Sequence, residues 1–302
     1  VFAVKGESKV VTGIAPNAAG DPLRTFAEEM FRPLARVDQR AKAELYLRGL
    51  LLDGGRKSMQ PMAERLGVNH QALQQFVTSS TWDFAAVRAV LARRAELLVQ
   101  PLAWVLGECV FHKEGNDSPG VARQYAHDEE RMVDCQLGVT VQLVGAHTAA
   151  AVDWRLLLPE SWDDAISFHG KEVQRRRRRC GIPDRERYRP MWTVVLDLLD
   201  ELAGWGLRPP AVLAGPGLVV VPEFRAALGQ RGIPCSSPSS EQSEGILDRA
   251  RINLEEMKDE FGLDHFEGRS WVGWNRHVTL SSVAYLYSVS RGVRPRMHLR
   301  IP

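Results

Sequence analysis

Apolar residues recur at three- and four-residue spacing from Pro22 to about Gly107, which predicts a helical segment. Within it, Phe26 to Leu51 reads as helix ending at the turn Asp53-Gly54-Gly55. Met59 to Leu66, Gly67-Val68-Asn69 and His70 to Val77 then read as helix, short turn, helix. That outline suits a DNA-reading helix-turn-helix and equally a packed helical hairpin. Beyond Trp82 a helix-rich stretch gives way to strands: Ala103 to Leu106, Cys135 to Val144, and Trp154 to Leu158 closed by Pro159. A helix near 190–204 and the strand Ala211 to Ala214 complete an α/β layer. Val221 to Gly232 reads as helix, Cys235 to Glu244 as serine-rich loop, and Ile246 to Phe261 and Val278 to Val289 as the last helices. No internal repeat is visible.

Composition narrows the classes. The chain has 302 residues, 44% hydrophobic and 25% charged, which is globular and excludes collagen, coiled coil and general disorder. A net charge of +2 carries no global nucleic-acid signature, so DNA binding would need a local patch. Cys109, Cys135, Cys180 and Cys235 are far apart without a C-x-x-C pair, and suggest neither a disulfide framework nor a zinc site. No apolar stretch is long enough to span a membrane, and the expectation is a cytoplasmic protein without membrane association.

Several motifs then stand out. The runs 113–125 (KEGNDSPGVARQY), 153–163 (DWRLLLPESWD), Gly181-Ile182-Pro183, Tyr188-Arg189-Pro190 and 262–280 (GLDHFEGRSWVGWNRHVTL) resemble insertion-sequence transposases of family 701, as does Leu45 to Trp82. The resemblance implies an α/β fold: an RNase H-like mixed-sheet core with helices, preceded by a helical N-terminal domain. The boundaries expected are a leader at 1–21, the helical domain at 22–103, the core at 104–291 and a basic tail at 292–302. The strand-rich insertion domain usual in the family is absent, replaced by the serine-rich linker from Cys235 to Gly245.

The resemblance also implies three carboxylates that hold two divalent metals for phosphodiester chemistry. None is found where it belongs. The first position is Gly107, the second Gly215, and the third, seven residues before Lys258, is Arg251. A one-residue slip would restore Glu108, but no acid follows Gly215 before Glu223. The expectation is a relative unable to transpose, with no metal and no cofactor.

What replaces the triad sets the candidate chemistry. Arg251, with Arg249 nearby, offers either an anion-binding guanidinium or a salt bridge to Glu108 or Glu255. Glu108, His112, His127 and Asp128 form a candidate acid/base cluster or a solvated hairpin. Cys109 reads as a buried thiol rather than a nucleophile. His265 and His277 fall in the family motif and read as structural, as do Trp154, Trp162, Trp192, Trp205, Trp271 and Trp274. Gly215-Pro216-Gly217 lacks the rest of a phosphate loop. The basic run Arg175, Arg176, Arg177, Arg178 and Arg179 suits phosphate contacts or solvent.

Two functions compete. One is a metal-independent biosynthetic enzyme acting on a small anionic metabolite, by ring closure or by elimination expelling sulfate or phosphate. Such a use resembles transposase-like proteins of the azinomycin-type aziridine-forming pathway, although no motif here carries that link. The other is a DNA-binding regulator or architectural protein without strand-transfer activity. Loss of the insertion further predicts a protein partner or self-association over 236–246.

Overall fold

A computed structural model describes residues 20–236 and 241–292. The helical segment comprises α1 (Pro22–Met30), α2 (Val37–Leu51), α3 (Met59–Leu66), α4 (His70–Thr78) and α5 (Phe84–Val99). The single run expected from Phe26 to Leu51 is two helices, because Pro33 cannot continue the hydrogen-bond ladder. Asp21, Asn69 and Asp83 cap α1, α4 and α5 by accepting backbone N–H bonds. Gly67, at φ 67°, ends α3 in the left-handed region.

The sheet is built on β1 (Ala103–His112), which runs past Leu106 although Gly107-Glu108 interrupts its apolar pattern. Its partners include β2 (Ala122–Ala126), β3 (Arg131–Val144) and β4 (Ala149–Leu156). β1 pairs antiparallel with β3 along its whole length, from Ala103↔Val144 to His112↔Cys135. The first part of β3 carries β2 and the second part carries β4. β4 begins before the expected Trp154, at an alanine run whose weak strand preference hides it in the sequence.

Next come α6 (Gly170–Cys180) and α7 (Met191–Gly204), then β5 (Val212–Ala214), α8 (Pro216–Val219), α9 (Pro222–Gln230) and β6 (Cys235–Ser236). β5 is parallel to β1 and pairs only with Trp104 to Leu106, and β6 is parallel to β5. The last helices are α10 (Glu241–Asp259) and α11 (Trp271–Ser290). The serine-rich stretch is thus partly structured: strand at Cys235–Ser236 and helix from Glu241, with 237–240 outside the described residues. The expected leader and basic tail also lie largely outside them.

One face of the sheet carries α10 and α11. Trp154 donates from Nε1 to Ser282 of α11 at 2.9 Å, and Trp274 packs where Gly138 lacks a side chain. The other face carries α7, whose Glu201 accepts from Arg155 of β4. A mixed sheet of this order between helices is an RNase H-like arrangement. Phe26, Tyr46 and Phe76 of the helical segment share one buried cluster with Trp104, Trp154 and Trp274. The motif histidines are built into this packing. His277 accepts from the Tyr46 hydroxyl at Nδ1 (2.9 Å) and donates from Nε2 to the Gly262 carbonyl (2.8 Å). Among the described residues no helix is long and apolar enough to cross a membrane.

Candidate functional site

Because β5 stops at Ala214, the outer half of β1 has no strand beside it on that side. A cleft of about 650 Å³ wraps around this open edge. Gly107, Gly215 and Arg251, the three positions where metal carboxylates were sought, all line it. α10 contributes Leu247, Asp248, Arg251, Leu254, Glu255 and Lys258, a spacing of three and four that places them along one helix face. Met191 and Val195 of α7 close the opposite side.

The glycines leave space. A Cβ at Gly107 would stand 3.2 Å from Nε2 of Gln142 and 3.9 Å from Leu254, whereas one at Gly215 would meet nothing within 4 Å. Arg251 is 60% exposed and is taken up by carboxylates: Nη1 to Glu255 at 2.7 Å and Nη2 to Asp248 at 3.7 Å. Of the two readings of Arg251, the ion pair to Glu255 is the one formed. Arg249 does not line the cleft. Two residues on a helix are about 200° apart, so it cannot share the face of Arg251.

Strand alternation divides the acid/base candidates from α10. Gly107 faces Leu254, so Glu108 faces the α7 side, paired across the ladder with Val139. There His127 Nδ1 lies 3.4 Å from the Glu108 carboxylate, and both line the cleft. A slip of one residue would therefore not return Glu108 to the position of Gly107. His112 stands apart and does not line the cleft: its Nε2 meets Glu129 Oε1 at 2.6 Å. Glu129, which sequence reasoning missed inside the polar run 127–131, does line it. Arg131 holds its carboxyl below the usual range, with His112 adding to the effect. The side chain of Asp128 lies outside the described ones. Cys109 is buried, as expected.

Gln142 was also missed, since an amide within an apolar strand gives no chemical signal by itself. It is 1% exposed, lines the cleft, and its Oε1 has no hydrogen-bond partner among the described residues. Lys258, used in the sequence only as a landmark, lines the same cleft.

The arginine run does not wrap α6 in five free charges. Arg177 is buried and donates to the carbonyls of Trp162 (2.9 Å) and Pro183 (3.0 Å). Arg176 lies 4.1 Å over the Trp162 ring and donates to the Asn116 carbonyl. Arg175, Arg178 and Arg179 are exposed.

Residues 29–243, more than half of the chain, match the family described as DDE superfamily endonuclease, and the chain belongs to that family. Comparison with curated proteins finds no match. Membership implies divalent metals held by carboxylates, and the residues present do not fit them. The expected positions hold two glycines and a cation. Among the described residues no group of three or more His, Cys, Asp or Glu is disposed to hold a metal ion. The cleft's carboxylates are engaged by Arg251, by Arg131 and by histidines.

Proposed function

We propose that this DDE-superfamily chain is a metal-independent enzyme that uses the cleft for a small molecule. The runs that resemble family-701 transposases support descent from enzymes of that kind. The observation that carries the reading is the convergence of Gly107, Gly215 and an ion-paired Arg251 on one cleft that also holds the Glu108–His127 pair. Glycine in place of a carboxylate frees volume for a ligand. The acid–imidazole pair supplies a proton acceptor that needs no metal.

In the reaction class favoured here, an internal nucleophile loses a proton to Glu108 or His127 and attacks a carbon bearing a sulfate or phosphate ester. The new bond to that carbon forms as its C–O bond breaks, and the ester oxygen leaves with the electron pair. Lys258 is the cation available to such a leaving group, since it forms no ion pair among the described residues. Holding the two groups in line is the main contribution the cleft would make.

The charge of the cleft argues against DNA as its occupant. Glu108, Glu129, Asp248 and Glu255 stand against two permanent cations, Arg251 and Lys258, a lining that repels a polyanion once metals are gone. The exposed residues of α4, His70, Gln71, Gln74 and Gln75, include no Lys or Arg for phosphates. The alternative of a DNA-binding regulator draws on exposed Arg175, Arg178 and Arg179.

The test is strand cleavage and fluorescence-anisotropy binding of duplex DNA across a salt series, with Mg²⁺ or Mn²⁺ present. No cleavage and no binding at moderate salt are expected. Metal-dependent cleavage, or tight binding that falls steeply with salt and disappears when the α6 arginines are neutralised, would overturn the reading.

A further inference from the structure

Gln142 is a buried polar group that the fold itself does not use. It lies on β3 at the irregularity between Val141 and Gln142, opposite Val105. A buried amide oxygen without a donor is costly, and the rare cases in folded proteins call for a reason. Nearby groups do not supply one: the Thr140 hydroxyl on the same strand is committed to the Asp153 carbonyl at 2.8 Å, and Leu254 on α10 is apolar. The space beside the amide is open only because residue 107 is glycine.

We propose that Gln142 recognises the ligand of the cleft, its Oε1 accepting a hydrogen bond from the protonated amine of a small molecule lodged where Gly107 leaves room. This rests on the small-molecule reading above and names its substrate class. The orphan acceptor requires a donor. The lining of four carboxylates against two cations favours a cationic donor over a neutral hydroxyl. Arg251, Leu254 and Lys258 share one face of α10, so the leucine that closes over Gly107 is flanked by basic side chains. An amine at Gln142 and an anionic ester near Lys258 are then two ends of one ligand.

The experiment titrates the full chain by NMR with 2-aminoethyl phosphate and with ethyl phosphate, its amine-free counterpart. The amine compound is expected to bind about tenfold tighter or better, the effect of one hydrogen bond to a charged donor. Gln142→Leu should abolish that difference and leave ethyl phosphate binding unchanged. The same variant should unfold about 2 °C higher, because it removes an unsatisfied acceptor. Gln142→Glu keeps or strengthens the preference and serves if the leucine variant does not fold. Equal binding of the two compounds, binding of neither, or a preference that persists in Gln142→Leu overturns the inference. Each of those results leaves the metal-independent reading to its own DNA and cleavage test.

Discussion

Arg88 is wholly buried, yet every edge of its guanidinium is occupied. Nε donates to Thr279 (2.8 Å), Nη1 to the Trp154 carbonyl (2.7 Å) and to Asp153 (3.2 Å), and Nη2 to Asn275 (3.0 and 3.1 Å). One residue of α5 thereby ties the helical segment to β4 and α11. Burial pushes Arg88 down to about 10 and pushes the Asp153 carboxyl up. Removing one member leaves the other charged and unpaired, so Arg88→Ala should cost about 3–5 kcal/mol. Urea denaturation measures it, and a loss under about 1 kcal/mol would show the pair to be dispensable. His277 makes a pH prediction. Burial pushes it from 6.5 to about 4, so it is neutral in the fold. Between those values the unfolded chain binds the extra proton. The contribution of His277 is therefore complete above pH 6.5 and declines by about 1.4 kcal/mol per unit as pH falls towards 4. Denaturation at pH 7 and pH 5 should show a smaller difference in His277→Gln than in the parent. An equal difference would mean that His277 is not the titrating group.

Helical register decides which arginines of α6 matter to the fold. Arg177→Ala removes a buried donor and strands the carbonyls of Trp162 and Pro183, a loss of about 2–3 kcal/mol. Arg175→Ala and Arg178→Ala should stay within about 0.5 kcal/mol of the parent. Thermal melts of the three variants separate these outcomes, and similar melting points for all three would contradict the assigned register. The same element shows what the sequence withholds: five identical residues carry no mark of which one is buried. By contrast α3 and α4 were legible to within a residue, because Gly67 and Asn69 announce the stop and the cap. The α/β class was legible from the strand patterns, as was the place of α10. The site was legible at the level of positions, since Gly107, Gly215 and Arg251 do meet. Its chemistry was not. That Glu108 turns away from α10 follows from strand alternation only once β1 is seen to continue through Gly107, and the sequence had ended that strand at Leu106. Gln142 required knowing what its amide fails to touch.

At the scale of the whole molecule, the core has kept the shape of its family while the cleft has lost the charges that held metal. Those two statements can be separated by experiment. In Gly215→Asp the new side chain enters open space. In Gly107→Asp it presses on the Gln142 amide at 3.2 Å, a contact that the flexible end of a side chain can relieve by moving. The amide would then have a carboxylate to which Nε2 can donate. Arg251→Glu replaces an exposed cation whose pairs with Glu255 and Asp248 contribute little. The triple variant should therefore fold, and it should place three carboxylates around the cleft. If the scaffold is intact, Mn²⁺ at about a hundred times its dissociation constant stabilises the variant by about 2.7 kcal/mol, several degrees in melting temperature. The parent should show no such shift. A folded triple variant indifferent to Mn²⁺ would mean that the backbone at these positions has itself moved, and that the cleft no longer has the geometry of a metal site. A parent already stabilised by Mn²⁺ at this cleft would mean that its remaining carboxylates bind metal despite their ion pairs, and the small-molecule reading would have to be abandoned.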